Sequence, residues 1–207
     1  MIIQPIVEGQ GDETAVPLLL RRLRDMAEAW GLDVGTPHRR RRTQLVKKDS
    51  LQSAVRVAGL REGCAGILIL FDADDDCPAE LAPNLEYWAR EAAGELPCVV
   101  VMANREYEAW FLASIEALRG RAGIAPGAVS HLDPEAPRDA KGELEARMRP
   151  GASYSPTVDQ PALTAHLDLE SAYRHCRSFR KLVSAFGMLA AAAGVAPAEW
   201  PPAAWIS

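Results

Sequence analysis

Apolar positions along the chain follow two patterns, short unbroken runs and spaced repeats. Three apolar runs, at residues 2–7, 65–71 and 96–103, predict strands. The second and third are continuous, which is typical of strands buried on both faces of a sheet. Between them, apolar residues recur every three or four positions, which indicates helices with one buried face. Because strands and helices alternate, we predict an α/β fold built on a parallel sheet with helices on both faces.

The spaced repeats place the predicted helices. They cover residues 15–31, 49–63, 84–95, 106–120, 142–148 and 169–194. A further strand that carries a run of arginines is expected within residues 32–46. Pro5 lies inside the first apolar run and has no N–H to give to a strand ladder, so we expect an irregular pairing there.

The composition of the chain changes after residue 121. The stretch "RAGIAPGAVSHLDPEAPRDAKG" is rich in Pro, Gly and Asp, which is typical of loops. A short helix, a second loop and a long helix follow it. We therefore divide the chain into an α/β core at residues 1–121 and a loop-rich and helical C-terminal extension at residues 122–207, packed on the core.

Charge and cysteine content limit the classes of protein and the cellular compartments that suit this sequence. The 207 residues carry a formal net charge of −5, which excludes a uniformly basic nucleic-acid coat. The four cysteines form no CxxC pair and suit no zinc site, which is typical of reduced thiols in a cytoplasm. No apolar run is long enough to cross a bilayer, and the first residues lack the features of a secretory signal. We therefore expect a cytoplasmic protein without membrane contact.

Positive charge is concentrated in one strip of the chain. Its six cations are Arg39, Arg40, Arg41, Arg42, Lys47 and Lys48. Such a run is usually a solvated face, but alternate residues of a strand would turn two arginines toward a phosphate backbone. With a metal site nearby, we expect DNA or RNA to contact this strip.

Acidic residues follow the ends of three predicted strands. Glu8 follows the first apolar run, Asp72 and Asp74 the second, and Glu106 and Glu108 the third. The carboxyl ends of parallel strands meet at one edge of the sheet, where ligands bind in open α/β folds. Two like charges ~4 Å apart repel by about 4 kcal/mol at an effective dielectric constant of about 20, and a hard divalent cation relieves this cost. The sequence therefore predicts a Mg²⁺ site at this edge.

The spacing of the acids refines the predicted ligand set. Positions i and i+2 of an extended strand point the same way, so we expect Asp72 and Asp74 to face one metal together. Asp12 begins the next helix and is expected to return to the same pocket. Glu106 and Glu108 have a purely structural alternative, because acids at the start of a helix suit the helix dipole.

These stretches resemble a known family. "IVEGQGDE" followed by "ILILFDADDD" resembles the TOPRIM domain of topoisomerases, bacterial primases and OLD-family nucleases, in which a strand-end Glu-Gly and an Asp-x-Asp form a Mg²⁺ site. Together with "ANREYEAWFLA", "DAKGEL" and "CRSFRKL", the order of motifs resembles more closely a family of small bacterial TOPRIM-like proteins of unknown function. The resemblance spans nearly the whole chain and implies a TOPRIM-like Rossmannoid sheet with a C-terminal helical appendage.

The resemblance implies a role for each matching residue. Glu8 would be the acid/base group or the first metal ligand, and Asp72 and Asp74 would be metal ligands. OLD-type nucleases also use an acid shortly after the first Glu, an acidic pair after the fourth strand and a later lysine. The positions that answer to these are Asp12, Glu106, Glu108 and either Lys141 or Lys181.

The function implied by the resemblance is Mg²⁺-dependent cleavage of DNA or RNA phosphodiesters, with Mn²⁺ as an expected substitute. Glu8, Asp72, Asp74 and Lys141 would form the catalytic group. OLD-type nucleases often work with an ABC-type ATPase in defence against phage. This chain has no GxxxxGK[ST] loop, so such an ATPase would be a separate subunit. An oligomer is compatible with this function.

Two other classes of function stay open. In the first of these, the chain is a non-catalytic metal-binding module that acts as a regulatory or assembly subunit of a defence complex. A phosphatase or phosphotransferase with an aspartyl nucleophile in "DAD" is the third class; such enzymes usually carry the nucleophile after the first strand, where this chain has Glu8.

Overall fold

The computed structural model describes residues 1–195 and 199–206 and is built on one five-stranded sheet. The strands are β1 (Ile2–Val7), β2 (Asp33–Val34), β3 (His38–Arg39), β4 (Cys64–Asp72) and β5 (Cys98–Ala103). β1 pairs with β4 on one side and with the short β2 and β3 on the other, and β5 pairs with the far side of β4. Every pairing among these strands is parallel, so the predicted α/β fold is confirmed.

Eleven helices surround the sheet in the described residues. They are α1 (Asp12–Met26), α2 (Arg42–Leu45), α3 (Lys48–Gly59), α4 (Pro78–Ala93), α5 (Glu108–Leu112), α6 (Ile115–Leu118), α7 (Ala140–Glu145), α8 (Pro156–Thr164), α9 (Leu169–His175), α10 (Arg177–Ala192) and α11 (Ala203–Ile206). They lie on both faces of the sheet, as the alternating pattern predicts.

Three of the predicted elements are divided in the structure. The helix predicted at 106–120 is two short helices, α5 and α6, with Ala113 and Ser114 between them. The long helix predicted at 169–194 is two helices, α9 and α10, because the backbone of Cys176 is extended between them. The Glu135 carboxylate accepts hydrogen bonds from the N–H groups of Arg177 and Ser178 at 2.9 Å each, which satisfies the start of α10. Residues 32–46 hold β2, β3 and α2 instead of one arginine-bearing strand, and of the four arginines only Arg39 lies in a strand.

Pro5 is accommodated in the centre of the sheet by a gap between two short strands. β2 pairs with β1 at Ile2 and Ile3, and β3 pairs with it at Ile6 and Val7. The carbonyls of Met1, Ile3 and Val7 accept hydrogen bonds from the β2–β3 side, so alternation turns the Pro5 nitrogen to that side as well. The missing N–H therefore falls where neither short strand pairs with β1.

The unbroken apolar runs are explained by two buried layers. In β4, Leu68 and Leu70 face one hydrophobic cluster, and Ile67, Ile69 and Phe71 face the other. α3 and α4 cover the second cluster, while α1, α5, α8 and α10 cover the first. Because both faces of β4 are buried, apolar side chains are needed at consecutive positions.

The first cluster joins the two parts of the chain that the sequence separates at residue 121. Leu20 of α1 and Val99 of β5 share it with Leu163 of α8 and with Phe179 and Phe186 of α10. The division at residue 121 stays a prediction. No helix in the described part of the chain combines the length and apolarity of a membrane span.

Replacement of Phe179 by Ala should destabilise the whole protein. Phe179 is fully buried, and its ring lies edge-on to that of Trp110 with centroids 5.2 Å apart. The lost transfer free energy and the cavity should lower the free energy of unfolding by about 3–5 kcal/mol, measured by urea denaturation. Met188→Ala on the same helix, where the side chain is 48% exposed, is the matched control and should cost far less. Similar losses in both variants would contradict a core role for α10.

Candidate functional site

A pocket of about 420 Å³ lies at the carboxyl ends of β1 and β4. We call it the acidic pocket, and its lining residues are Glu8, Gly9, Gln10, Gly11, Asp12, Arg39, Asp72, Glu108, Lys141, Pro156, Thr157 and Gln160. Four carboxylates come from three separate elements of the core, while the lysine, Pro156, Thr157 and Gln160 come from the C-terminal extension. The core and the extension therefore build this pocket together.

Asp72 is the last residue of β4, and its carboxylate is held from two sides. Its Oδ1 accepts a hydrogen bond from the Tyr107 N–H at 2.8 Å, and its Oδ2 lies 3.5 Å from Lys141 Nζ. Burial raises the pKa of Asp72 well above its ordinary value, and the negative charges of Glu108 and Asp12 add to this rise. Asp72 is thus held in a site that disfavours its charged form.

Glu108 is the most buried carboxylate of the pocket, with 1% of its side chain exposed. Its Oε1 accepts a hydrogen bond from the Tyr154 hydroxyl at 2.8 Å. Its Oε2 is buried without a hydrogen-bond partner among the described residues and lies 3.7 Å from Lys141 Nζ. Burial raises the pKa of Glu108 to about 7, although Lys141 and Tyr154 favour the charged form.

Glu8 follows β1 directly and also has a buried oxygen, Oε2, without a hydrogen-bond partner in the described residues. Burial raises the pKa of Glu8, and the charges of Asp74 and Asp12 raise it further. Two buried carboxylate oxygens that accept no hydrogen bond from the described residues, one on Glu8 and one on Glu108, therefore belong to residues of the same pocket.

Asp12 is fixed by the glycine-rich turn that begins α1. Its Oδ2 accepts a hydrogen bond from the Gly9 N–H at 2.8 Å, and its Oδ1 accepts one from Gln160 Nε2 at 2.7 Å. A Cβ at Gly11 would lie 2.5 Å from the Pro156 carbonyl oxygen, so this position requires glycine for the close approach of α8. The "EGQGDE" stretch, which forms the turn after β1 and the start of α1, thus packs against the C-terminal extension.

Lys141 supplies the positive charge between these acids. Its Nζ lies 3.0 Å from Glu106 Oε1, in addition to its contacts with Asp72 and Glu108, and its backbone N–H donates to Glu106 Oε2 at 2.9 Å. Burial alone would lower the pKa of Lys141, but the charges of Glu108, Asp72 and Glu106 raise it above its ordinary value. Lys181, the other lysine that the resemblance left open, lines a different pocket beside β5.

The expectation that strand alternation turns Asp72 and Asp74 the same way is not met, and their sharing of one metal ion stays a prediction. β4 ends at Asp72, and Asp74 has a positive φ of 51°, so strand alternation does not continue to it. The Asp74 carboxylate lies 3.1 Å from Arg42 Nε, and Asp74 does not line the acidic pocket. Across residues 1–195 and 199–206, no three His, Cys, Asp or Glu side chains stand close enough together to hold a metal ion as they are placed.

The predicted nucleic-acid strip is divided by the fold. Arg42 is turned inward, where its guanidinium donates to the carbonyls of Asp72 and Ala73 and pairs with Asp74 and Asp76. Its contact with nucleic acid stays a prediction. Lys48 pairs with Glu91 at 3.1 Å. The remaining four cations of the strip lie near the surface: Arg39, Arg40, Arg41 and Lys47. Of these, Arg39 also lines the acidic pocket and lies 3.2 Å from Glu13.

Gln160, which lines the pocket, and Tyr154, which donates to Glu108, are site residues that the sequence does not predict. Both come from the segment "RPGASYSPTVDQPA", which has neither a strand nor a helix repeat in its apolar positions. Their signal is weak: Tyr154 is the one aromatic residue in that segment, and nothing local distinguishes Gln160. Their roles follow from contacts with Glu108 and Asp12, which are 46 and 148 residues away in sequence.

Residues 7–186 match the model of a protein family described as "Domain of unknown function (DUF4276)". The chain belongs to this family. The match of the DUF4276 chain includes every residue that lines the acidic pocket. The prediction of a family of unknown function is confirmed, and the relationship of DUF4276 to the TOPRIM domain stays a prediction. Neither the curated proteins nor the solved structures contain a match to this chain.

Glu108→Gln should stabilise the DUF4276 chain at neutral pH when divalent cations are removed by EDTA. Because the folded-state pKa of Glu108 is raised from 4.5 to about 7, its contribution to stability is present below pH 4.5 and is lost as pH rises through 7. Glutamine does not ionise. The free energy of unfolding of the variant should therefore exceed that of the wild type by up to about 3 kcal/mol above pH 7. Urea denaturation over a pH series measures the difference.

Tyr154→Phe provides the opposing variant. It removes the hydroxyl that donates to Glu108 and favours its charged form, so the pKa of Glu108 should rise further and stability at neutral pH should fall. If the wild type and both variants show parallel curves of unfolding free energy against pH, Glu108 is not the titrating group.

Proposed function

We propose that the acidic pocket cleaves nucleic-acid phosphodiesters with Mg²⁺ as its cofactor. The observation that carries this proposal is the presence of two buried carboxylate oxygens that accept no hydrogen bond from the described residues, Glu8 Oε2 and Glu108 Oε2, in a pocket that also contains Asp72 and Asp12. Buried acceptors without a donor are costly, and a cation relieves that cost. Carboxylate oxygens are the ligands that Mg²⁺ prefers, so the donor set fits this metal.

Mg²⁺ keeps several waters and is commonly bound by only one or two carboxylates, so Glu8, Asp72 and Glu108 would hold the metal ion partly through its waters, with Asp12 beside them. A bound Mg²⁺ supplies charge stabilisation at a phosphoryl group and acidifies water. Lys141 Nζ would donate to the phosphate oxygens as negative charge develops, and Arg39 at the wall of the pocket would bind the phosphate backbone.

The position of Lys141 favours a second candidate, the non-catalytic module. Its Nζ lies within 3.7 Å of three carboxylates, so an internal cation already neutralises much of the acidic cluster. In that case the pocket would stabilise the contact between core and extension, and the protein would act as a regulatory or assembly subunit. The separate ATPase partner and a role in phage defence rest on the resemblance alone.

Purified wild-type protein should nick plasmid DNA or cleave RNA in the presence of Mg²⁺ or Mn²⁺. Glu8→Gln and Asp72→Asn should each reduce the rate by at least about 100-fold, because each removes a charge aimed at the reacting group. Asp75→Asn is the matched control: it lies three residues after Asp72, but its carboxylate pairs with Arg138 outside the pocket. Gel electrophoresis of the products measures the rates.

The same variants separate the two candidate functions. Isothermal titration with Mg²⁺ should show binding to the wild type and to Asp75→Asn, and weak or absent binding to Glu8→Gln. Metal binding without cleavage would favour the module. Cleavage that persists equally in Glu8→Gln and Asp72→Asn would exclude the acidic pocket as the catalytic site.

Lys141→Met should lower the stability of the protein, and Mg²⁺ should restore it. The lost cation leaves three carboxylates facing one another, at a cost of about 2 kcal/mol, less than for a fully buried pair because the Lys141 side chain is 39% exposed. A metal at about 100 times its dissociation constant returns about 2.7 kcal/mol. Thermal melts with EDTA or Mg²⁺ measure both effects.

Lys47→Met, at an exposed position on the basic strip, is the control for the lost charge and should leave the melting temperature unchanged. If Lys141→Met melts at the wild-type temperature and Mg²⁺ does not raise that temperature, the acidic pocket is not a cation site.

A further inference from the structure

A second pocket, of about 500 Å³, lies beside the outer strand β5, between α4 and α10. We call it the β5 pocket. Its volume falls in the range of roughly 300–1,000 Å³ that is typical of small-ligand sites. Val100 and Met102 contribute an apolar wall, and Asn104, which follows β5, lies at the carboxyl end of the sheet. The Asn104 side chain makes no hydrogen bond among the described residues, so its amide is available to a ligand.

The charges around the β5 pocket favour an anion. Both of its acids are already engaged: Glu135 caps the start of α10, and Glu86 lies 2.9 Å from Arg90. Its two cations, Arg177 and Lys181, are exposed, lie one turn apart on α10 and form no ion pair within the described part of the chain. Unpaired donors next to an apolar wall suit a ligand with one phosphate and one flat, weakly polar body.

The β5 pocket lies along the outer edge of β5, with α4 on one face of the sheet and α10 on the other, whereas the acidic pocket lies on the face of the first cluster. Asp72 is paired in register with Ala103, and Asn104 is the next residue of the chain. Asp72 follows the alternation of Leu68 and Leu70, whereas Met102 belongs to the cluster on the other face. A polymer that reaches both pockets must therefore cross the ends of β4 and β5.

We propose that the β5 pocket binds one unpaired nucleotide of a single-stranded nucleic acid whose backbone crosses this edge of the sheet to the acidic pocket. The base lies against Val100 and Met102 and takes hydrogen bonds from the Asn104 amide. Its phosphate is bound by Arg177 and Lys181. A paired base cannot enter such a pocket, so the substrate class is single-stranded DNA or RNA. This inference rests on the proposed function, which supplies the phosphodiester at the acidic pocket.

Cys77 provides a direct test, because it lines the β5 pocket and is the one exposed cysteine among the four of the chain. Wild-type protein in EDTA is treated with iodoacetamide, and alkylation of the Cys77 peptide is followed by mass spectrometry. A short single-stranded oligodeoxynucleotide should slow this alkylation about tenfold at saturation. The matching duplex and inorganic phosphate, each at the same concentration, should leave the rate unchanged.

Variants identify the groups responsible. Arg177→Gln and Lys181→Gln should each raise about tenfold the oligonucleotide concentration needed for protection. Arg149→Gln, an exposed cation of the extension outside both pockets, should behave as the wild type. Glu8→Gln should still be protected, because binding here needs neither metal nor cleavage. Protection of Cys77 in Glu8→Gln therefore tests the β5 pocket whether or not the protein proves to be a nuclease.

Three results would overturn the inference. The first is alkylation of wild-type Cys77 at the same rate with and without the oligonucleotide. The second is equal protection by the duplex, which would mean that the β5 pocket does not select an unpaired base. The third is equal protection by inorganic phosphate, which would reduce the β5 pocket to an anion site. Because these three comparisons use the wild-type protein, they do not depend on the folding of any variant.

Discussion

The architecture of the acidic pocket depends on one interaction, the contact of Lys141 Nζ with the carboxylates of Asp72, Glu106 and Glu108. Charged groups leave water at a cost of several kcal/mol each, and that cost is offset only when an opposite charge lies close to them. The acids come from the end of the sheet and the start of α5, and the lysine comes from α7. Electrostatics therefore couples the extension to the core at the point where ligands would enter.

The apolar pattern of the sequence is sufficient to place the strands and the acids at their ends. A run such as 65–71 is compatible only with burial on both faces, and a residue that directly follows it must lie at the sheet edge. Glu8 and Asp72 could be placed in this way because their positions depend on local pattern alone. Strand alternation does not predict the position of Asp74, because a positive φ turns its side chain toward Arg42, which is far from it in sequence.

Residues that reach the pocket from loops could not be found by periodicity. Gln160 lines the pocket because α8 packs on the glycine turn before α1, a contact between segments about 150 residues apart in sequence. Tyr154 reaches Glu108 from the loop before α8. Arg42 shows that local pattern can also indicate a surface role for a residue that tertiary contacts turn inward. Its place in a basic strip indicated a surface role, but the carbonyls at the end of β4 take up its donors. Tertiary contact decided each of these positions, not local propensity.

The bond between Asp12 and Gln160 has a consequence for how the protein is made. A chain emerges from the ribosome from its N-terminus, and domains fold as their residues appear. The strands and their carboxylates are therefore present well before Lys141, Tyr154 and Gln160 have been synthesised. Until then the acidic edge has no internal cation and no cover from α8. Completion of the pocket must therefore wait for residues 141–160, and a product that terminates before them would carry the acids without the groups that organise them.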